Sequence, residues 1–319
     1  MTTILDVQQV TKRYRRTHPP ALDKLSFHVE EGAIYAFVGP NGAGKTTLIR
    51  ILATLLRFDS GIVRVGGYRV DTQPRDVRRL LGYIPDEFGL YGEMLVREYL
   101  EFFAGCYHID AAKRPGIATD LLDLVGLAHR ADDEVRTLSR GMRQRLGLAR
   151  ALVHDPALIV ADEPAAGLDP RARIDLREIF RVLQEMGKTV FLSSHVLREL
   201  DDVATHVAIV EQGQLVASGP IEEIRARLRP HRRIRIGFLR GLDDAQAWLV
   251  ARPDILEVEA APLTNGGPPM LLVTLRGGEE AVASLLQDLV AQGFPVLTYL
   301  EEKDTLESLF LNLTRGIVS

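Results

Sequence analysis

The stretch of residues 33–52 reads "AIYAFVGPNGAGKTTLIRIL". It begins with an apolar run, which is typical of a strand buried on both faces of a sheet. It ends with apolar residues at helical spacing. Between the two, "GPNGAGKT" at residues 39–46 matches the pattern G-x-x-x-x-G-K-[ST]. Strand, glycine-rich loop and helix in this order predict a phosphate-binding loop, because glycines let backbone N–H groups wrap around phosphate oxygens.

The loop and the first turn of the helix are the predicted nucleotide-binding residues. The helix adds the positive end of its dipole to the loop's N–H groups. We expect Lys45 to reach the β- and γ-phosphates and the Thr46 hydroxyl to contact Mg²⁺. The full predicted set for ATP is Gly39, Pro40, Asn41, Gly42, Ala43, Gly44, Lys45, Thr46 and Thr47.

Two further buried strands end in polar residues. "LIVADEP", residues 158–164, predicts a strand followed by Asp162 and Glu163. Beside a phosphate loop, Asp162 is expected to hold Mg²⁺ through water, and Glu163 is expected to polarise an attacking water. His195 ends the apolar run "TVFLSSH", residues 189–195. From spacing alone, His195 is as readily an ordinary polar residue as a hydrogen-bond donor to the γ-phosphate.

A second candidate anion site lies far along the chain, in "LSRGMRQRL", residues 138–146. Ser139 is a typical helix N-cap, and capping alone would explain it. The N–H groups at such a helix start also bind anions. The sequence therefore leaves both roles open, and one residue can perform both.

The rest of the chain alternates strand and helix patterns. They predict an α/β parallel-sheet core with a helical insertion at about residues 90–155. A boundary near "RLRPHRR", residues 227–233, predicts two domains, 1–228 and 229–319. The second reads as β-α-β-β-α-β, a small α/β accessory domain.

Composition limits which classes of function and partner the chain can have. The chain has 319 residues and a formal net charge of −4, which gives no global signal for nucleic acid. The arginines at 232, 233, 235 and 240 could bind nucleic acid or anionic lipid, but Arg233 and Arg235 alternate with isoleucines. This alternation favours an outward strand face over a ligand site. The single Cys106 excludes an intrachain disulfide, and its apolar surroundings predict a buried position. We expect neither a signal peptide nor a membrane span.

Together these motifs resemble the ATP-binding cassette (ABC) ATPases over roughly residues 4–225. The resemblance implies a P-loop NTPase core with antiparallel β and helical subdomains. It assigns "AAGLDP", residues 165–170, as the D-loop, His195 as the switch histidine and Tyr14 as the adenine-stacking residue. It also implies that two copies pair head to tail. The signature residues of one copy then bind the ATP of the other: Leu138, Ser139, Arg140, Gly141 and Met142.

Two departures from the family pattern stand out. The usual signature is LSGGQ, whereas this chain has Arg140 and Met142 at its third and fifth positions. Arg140 either points away from the phosphate or adds positive charge beside it. Where the family has a Gln that contacts Mg²⁺, this chain has Asp86, which is also a hard oxygen ligand.

The resemblance implies a function. We expect an ATP–Mg²⁺-dependent motor subunit that dimerises on ATP, most simply as a homodimer, and drives a separate integral membrane permease from the cytoplasmic face of the membrane. The tail "EKDTLESLFLNLT", residues 302–314, resembles exporter-type subunits and favours export. The alternatives are a soluble ABC ATPase acting on ribosomes or nucleic acid, and a regulatory module with little turnover. No long coiled coil or second cassette supports the former.

Overall fold

The computed structural model describes residues 2–302, except residues 16, 87, 88, 90, 197–199, 201, 229, 230 and 262–269. The chain divides into two compact units, Met1–Ile221 and Glu222–Asn312. The loop "PLTNGGPP" and nearly all of the exporter-like tail lie outside the described residues. The division into functional domains at residues 228 and 229 stays a prediction.

The first unit is built from strands and helices in mixed order. The early elements are β1 (Thr3–Lys12), β2 (Leu22–Glu30), β3 (Ile34–Val38), α1 (Lys45–Leu52), β4 (Ser60–Val65), β5 (Tyr68–Arg69), α2 (Pro74–Leu80) and β6 (Leu81–Ile84). The helical insertion contains α3 (Val96–Cys106), α4 (Arg114–Leu124) and α5 (Arg140–Leu152). The late elements are β7 (Leu158–Ala161), α6 (Pro170–Glu185), β8 (Thr189–Ser194), β9 (His206–Glu211) and β10 (Gln214–Pro220). Helix α7 (Ile221–Leu228) follows, and from Glu222 onward it belongs to the second unit.

A six-stranded sheet forms the centre of the first unit. Its strand order is β10-β9-β3-β8-β7-β6, and only the edge strand β10 is antiparallel to its neighbour. The strands β3, β7 and β8 are buried along their whole length, as their continuous apolar runs predicted. Because β3, β6, β7 and β8 are parallel, the residues that follow them meet at one edge of the sheet.

A separate antiparallel sheet, in the order β2-β1-β4-β5, packs on the central one. Its main anchor is Phe27 of β2, whose ring centroid lies 5.7 Å from those of Tyr35 and Phe37 and 6.0 Å from that of Phe191. These three partners belong to β3 and β8 of the central sheet. The expected core with antiparallel β and helical parts is therefore confirmed.

The prediction that Cys106 is buried is wrong, since the residue is exposed. Helix α3 buries Val96, Tyr99, Leu100 and Ala104, which recur every three to four residues and form one stripe. Cys106, at the end of the helix, lies off this stripe. The apolar character of the surrounding sequence did not distinguish the two faces of the helix.

The second unit has its own core. It contains β11 (His231–Phe238), α8 (Leu242–Val250), β12 (Ile255–Ala260), β13 (Met270–Arg276), α9 (Glu279–Ala291) and β14 (Val296–Glu301), which confirms the expected β-α-β-β-α-β order. The strands form an antiparallel sheet in the order β12-β13-β11-β14. The isoleucines of β11 are buried, and its arginines pair with acids: Arg232 with Glu301, Arg233 with Glu259 and Arg235 with Glu302.

Within the part of the chain that the structure describes, none of the helices combines the length and the apolar character needed to span a bilayer.

Candidate nucleotide site

Residues that follow four parallel strands line one cavity or lie directly beside it. Gly39 follows β3, Asp86 follows β6, Asp162 and Glu163 follow β7, and His195 follows β8. The cavity has a volume of about 520 Å³, within the usual range for small-molecule sites. Its lining is Tyr14, Ala21, Asn41, Gly42, Gly44, Lys45, Thr46, Thr47, Asp86, Glu163, Ala166 and His195.

Two glycines of the phosphate loop lie where a side chain does not fit. A Cβ on Gly39 would lie 2.2 Å from the carbonyl oxygen of Val210. Gly44 has φ +103°, and a Cβ there would lie 2.3 Å from the carbonyl oxygen of Ala21. The loop is therefore held against β9 and the start of β2, and its glycines are required by close backbone approach as well as by conformation.

Gly44→Ala is expected to destabilise the protein by about 2–4 kcal/mol, because strain at positive φ adds to a clash with fixed backbone. Gly42 is the matched control. It also has a positive φ of +83°, but nothing lies within 4 Å of its Cβ position. Gly42→Ala should therefore cost only the strain, about 1–2 kcal/mol. Chemical denaturation of both full-length variants measures the difference, and equal losses would contradict the close approach at Gly44.

Lys45 is held in place by three contacts. Its side chain is only 6% exposed, and its Nζ donates to the carbonyl oxygens of Gly39 at 2.8 Å and Pro40 at 3.2 Å. It also lies 3.4 Å from Oε1 of Glu163. A buried ammonium group requires such partners, since an unpaired buried charge is costly. The contacts fix the charge at the phosphate end of the cavity.

Asp162 is the buried carboxylate of the site, only 3% exposed. Its Oδ1 accepts hydrogen bonds from two hydroxyls, that of Thr46 at 3.3 Å and that of Ser193 at 2.8 Å. The two residues predicted to contact Mg²⁺ from the loop and from β7 are thus adjacent.

Glu163 and His195 form a direct pair. Oε2 of Glu163 lies 2.8 Å from Nδ1 of His195 and accepts from its backbone N–H at 3.3 Å. The carboxylate therefore lies between the Lys45 ammonium and the His195 ring. The backbone of Glu163 has φ +49°, a conformation that non-glycine residues rarely adopt.

Tyr14 and Asp86 also line the cavity. The Tyr14 ring is 59% exposed, and its hydroxyl lies 3.3 Å from Oγ1 of Thr47. A flat aromatic surface is therefore available beside the phosphate loop. Asp86 is exposed and lies two residues beyond Ile84, the last residue of β6.

The signature residues occupy a different place. The Ser139 hydroxyl caps α5 by accepting from the N–H of Met142 at 3.3 Å, and Leu138 is buried. All five signature residues are described, and none of them lines the cavity. Gly141 packs closely on α6, since a Cβ there would lie 2.9 Å from the Cβ of Ala172. This chain therefore does not bring its signature to its own phosphate loop.

Arg140 reaches the D-loop of the same chain. Its Nη2 donates to the carbonyl oxygen of Ala166 at 3.0 Å, and its guanidinium covers Gly167, which has φ +67°. Asp169 also lies in the D-loop, and its carboxylate accepts from the N–H of Ala172 at 3.0 Å and caps α6. That hydrogen bond holds the pKa of the Asp169 carboxyl below its usual range.

The chemistry of this donor set fits a nucleotide with Mg²⁺. The loop offers glycines without room for a Cβ, a fixed ammonium group and the N-terminus of α1. Within the described residues no group of three or more His, Cys, Asp and Glu side chains forms a metal cluster. The described protein thus offers Mg²⁺ mainly a hydroxyl and a carboxylate, which suits an ion that takes further oxygens from phosphates and water.

The sequence motifs do not predict two contacts around the site. One is the Ser193 hydroxyl on Asp162, and the other is the guanidinium of Arg140 on Ala166. The first had a signal, because the buried run "TVFLSS" ends in two serines at the carboxyl end of the strand. The second had none, since residues 140 and 166 meet only through the packing of α5 against the D-loop.

Comparison with known proteins identifies the family. Residues 22–166 match the model described as "ABC transporter". The chain is 32% identical to the linearmycin resistance ATP-binding protein LnrL of Bacillus subtilis, over 98% of each chain. It is 39% identical to the Nod factor export ATP-binding protein I of Burkholderia thailandensis, over 67% of this chain and 70% of that protein.

A solved structure agrees in fold. The ADP conformation of MJ1267, an ATP-binding cassette of an ABC transporter, matches with a TM-score of 0.63 and 26% identity. The match covers 70% of this chain and 93% of that one. The P-loop NTPase fold expected for the first unit is confirmed. The chain therefore belongs to the ABC transporter ATP-binding proteins, as a nucleotide-binding, ATP-hydrolysing motor subunit.

Proposed function

We propose that the cavity binds ATP with Mg²⁺ and that Glu163 activates the attacking water. The loop Gly39–Thr47 would hold the phosphates, with Tyr14 against the adenine. Thr46, Asp162 and Asp86 would hold Mg²⁺, which when bound neutralises charge on the phosphate oxygens. The observation that carries the proposal is the position of the Glu163 carboxylate, between Lys45 and His195 at the phosphate end of the cavity.

Glu163, His195 and Lys45 have different roles in this proposal. Glu163 is an acceptor for a proton of water, and a positioned carboxylate of this kind is a suitable general base. His195 is exposed on one side and bonded to Glu163 on the other, so it orients the carboxylate and offers a donor toward the cavity. Lys45 supplies fixed positive charge where negative charge develops.

We propose that the complete site needs two copies of the chain. Ser139 and Gly141 lie at the start of a 13-residue helix and do not line the cavity of their own chain. The N–H groups of that helix start suit a γ-phosphate presented by another copy. A head-to-tail homodimer would place each signature on the ATP of its partner, so ATP binding would favour association.

We propose further that residues 1–228 are the ATPase domain, that residues 229–319 are an accessory domain and that a membrane permease is the partner. An exposed aromatic cluster on the helical insertion supports a partner surface. Tyr91 and Phe102 are exposed with ring centroids 5.5 Å apart, and the exposed Tyr107 lies on the same insertion. Clustered exposed aromatics mark interaction surfaces. The words "export" and "resistance" in the names of the relatives favour export from the cytoplasmic face of the membrane.

Affinity purification of the tagged full-length chain from native membranes in mild detergent tests this assignment. We expect an integral membrane protein in stoichiometric amount. Phe102→Ser should weaken its recovery, because losing an aromatic interface anchor costs about 2 kcal/mol, or roughly 30-fold in affinity. Leu55→Ser is the control, since Leu55 is an exposed apolar residue outside the cluster. Recovery with ribosomes or nucleic acid and without a membrane protein would overturn the proposal.

A further inference from the structure

A single buried hydroxyl contacts both acids of the site. Ser193 lies in β8 and is 0% exposed. Its Oγ donates to Oδ1 of Asp162 at 2.8 Å and accepts from the backbone N–H of Glu163 at 3.0 Å. Both functions of the hydroxyl group are therefore used, one as donor and one as acceptor.

The sheet register explains why this residue reaches both acids. The parallel strands β7 and β8 pair Ala161 with Leu192. The next residues along the chain are Asp162, just beyond β7, and Ser193, in β8. They are therefore neighbours at the carboxyl edge of the sheet. Asp162 also accepts from the Thr46 hydroxyl, on the same oxygen. Its carboxylate is thus oriented from the phosphate loop on one side and from β8 on the other.

The second hydrogen bond, from the N–H of Glu163 to Ser193 Oγ, holds a strained part of the backbone. Glu163 has φ +49°, and a residue with a Cβ keeps such a conformation only where its surroundings enforce it. The Ser193 hydroxyl accepts its N–H, and the N–H of Ala166 donates to its carbonyl oxygen at 3.0 Å. These contacts direct the Glu163 side chain toward Lys45 and His195 rather than back along the strand.

We propose that Ser193 is a positioning residue for ATP hydrolysis, which aligns the Mg²⁺-binding Asp162 and the general base Glu163 through one hydroxyl; the inference rests on the roles proposed above. The neighbouring Ser194 provides the contrast. It is also buried, but its hydroxyl exchanges hydrogen bonds with the backbone of Val196, at 2.9 and 3.2 Å. The two serines thus offer a matched pair.

The test uses four full-length variants: Ser193→Ala, Ser193→Thr, Ser194→Ala and Glu163→Gln. Ser193→Ala should lower kcat and raise the half-saturating Mg²⁺ concentration by about 10–100-fold, as is typical when a partner of a metal-binding group is lost. The KM for ATP should change little, because the phosphate loop is untouched. Ser193→Thr keeps the hydroxyl and should recover most of kcat, and Ser194→Ala should behave like the unaltered chain.

A measurement without nucleotide or Mg²⁺ separates positioning from turnover. Amide hydrogen exchange of the peptide covering residues 158–166 should be faster in Ser193→Ala, because the N–H of Glu163 loses its acceptor. It should be unchanged in Ser194→Ala. If Ser193→Ala does not fold, Ser193→Cys replaces it, since a thiol is a weak donor and acceptor of nearly the same size.

Equal kcat and equal exchange in Ser193→Ala and Ser194→Ala would overturn the inference. A normal kcat in Glu163→Gln would instead overturn the proposed catalytic role of Glu163, whatever the serine variants do. Loss of turnover in Glu163→Gln together with normal turnover in Ser193→Ala would overturn only the role of Ser193.

Discussion

Glu163→Gln is expected to abolish ATP turnover while ATP binding is retained. The amide is close to the carboxylate in size, so it fits between Lys45 and His195. It cannot accept a proton from water, and loss of a general base typically lowers the rate by about 10²–10⁴-fold. Phosphate release measures turnover, and equilibrium binding of ATP measures affinity. Because ATP is bound but not cleaved, the variant should also accumulate as an ATP-bound dimer in size-exclusion chromatography.

The matched control is Glu178→Gln, which removes a carboxylate of α6 that pairs with Arg181 at the surface. Exposed ion pairs contribute little, so this variant should keep both turnover and stability. Unchanged turnover in Glu163→Gln would show that another group activates the water, and the catalytic assignment would be wrong.

Lys45→Met is expected to remove most of the affinity for ATP. Methionine matches much of the lysine side chain in length, but it donates no hydrogen bond and carries no charge. Loss of a charge-assisted contact to phosphate costs about 3 kcal/mol, or roughly 100-fold in affinity. Calorimetric titration of the full-length variant with ATP and Mg²⁺ measures the change.

Stability provides a second readout for the same variant. Lys45 donates to the carbonyl oxygens of Gly39 and Pro40 and pairs with Glu163, so its loss leaves buried acceptors unsatisfied. We therefore expect a lower unfolding midpoint even without nucleotide. Lys188→Met is the control, because Lys188 pairs with the exposed Asp155 away from the cavity. Equal ATP affinity in Lys45→Met and Lys188→Met would contradict the role of Lys45.

The sequence predicted the elements with the clearest patterns. Strands β3 and β7 are apolar throughout, β8 is apolar from Val190 to Leu192, and the elements β11 to β14 carry distinct strand or helix patterns. No clear periodicity marks the stretch between α1 and β6, which contains β4, β5 and α2. Its strands are short, and "RDVRRLLGYI" runs from helix directly into strand without a turn residue. Apolar residues at helical spacing continue to Leu56, but helix α1 ends at Leu52.

The site was predictable where a motif fixes both residue and position. Lys45, Thr46 and Glu163 follow from the phosphate loop and from the acids after a buried strand. The sequence does not predict that the Arg140 side chain points toward Ala166, because that direction depends on the packing of α5 against the D-loop. The contacts of Ser193 do not follow either, because they depend on the register of β7 and β8. That register brings residues 162 and 193 together although they lie 31 positions apart along the chain.

The aromatic cluster around Phe27 determines how the first unit responds to heat. Each ring buries a large apolar area, and Phe27 joins the antiparallel sheet to three rings of the central one. If the small sheet melted by itself it would expose those rings to water, so we expect the two sheets to unfold in a single cooperative transition. Tyr14 lies just after β1 of the small sheet, and Lys45 lies beyond β3 of the central sheet, at the start of α1. Warming the protein is therefore expected to remove the Tyr14 side and the Lys45 side of the cavity together.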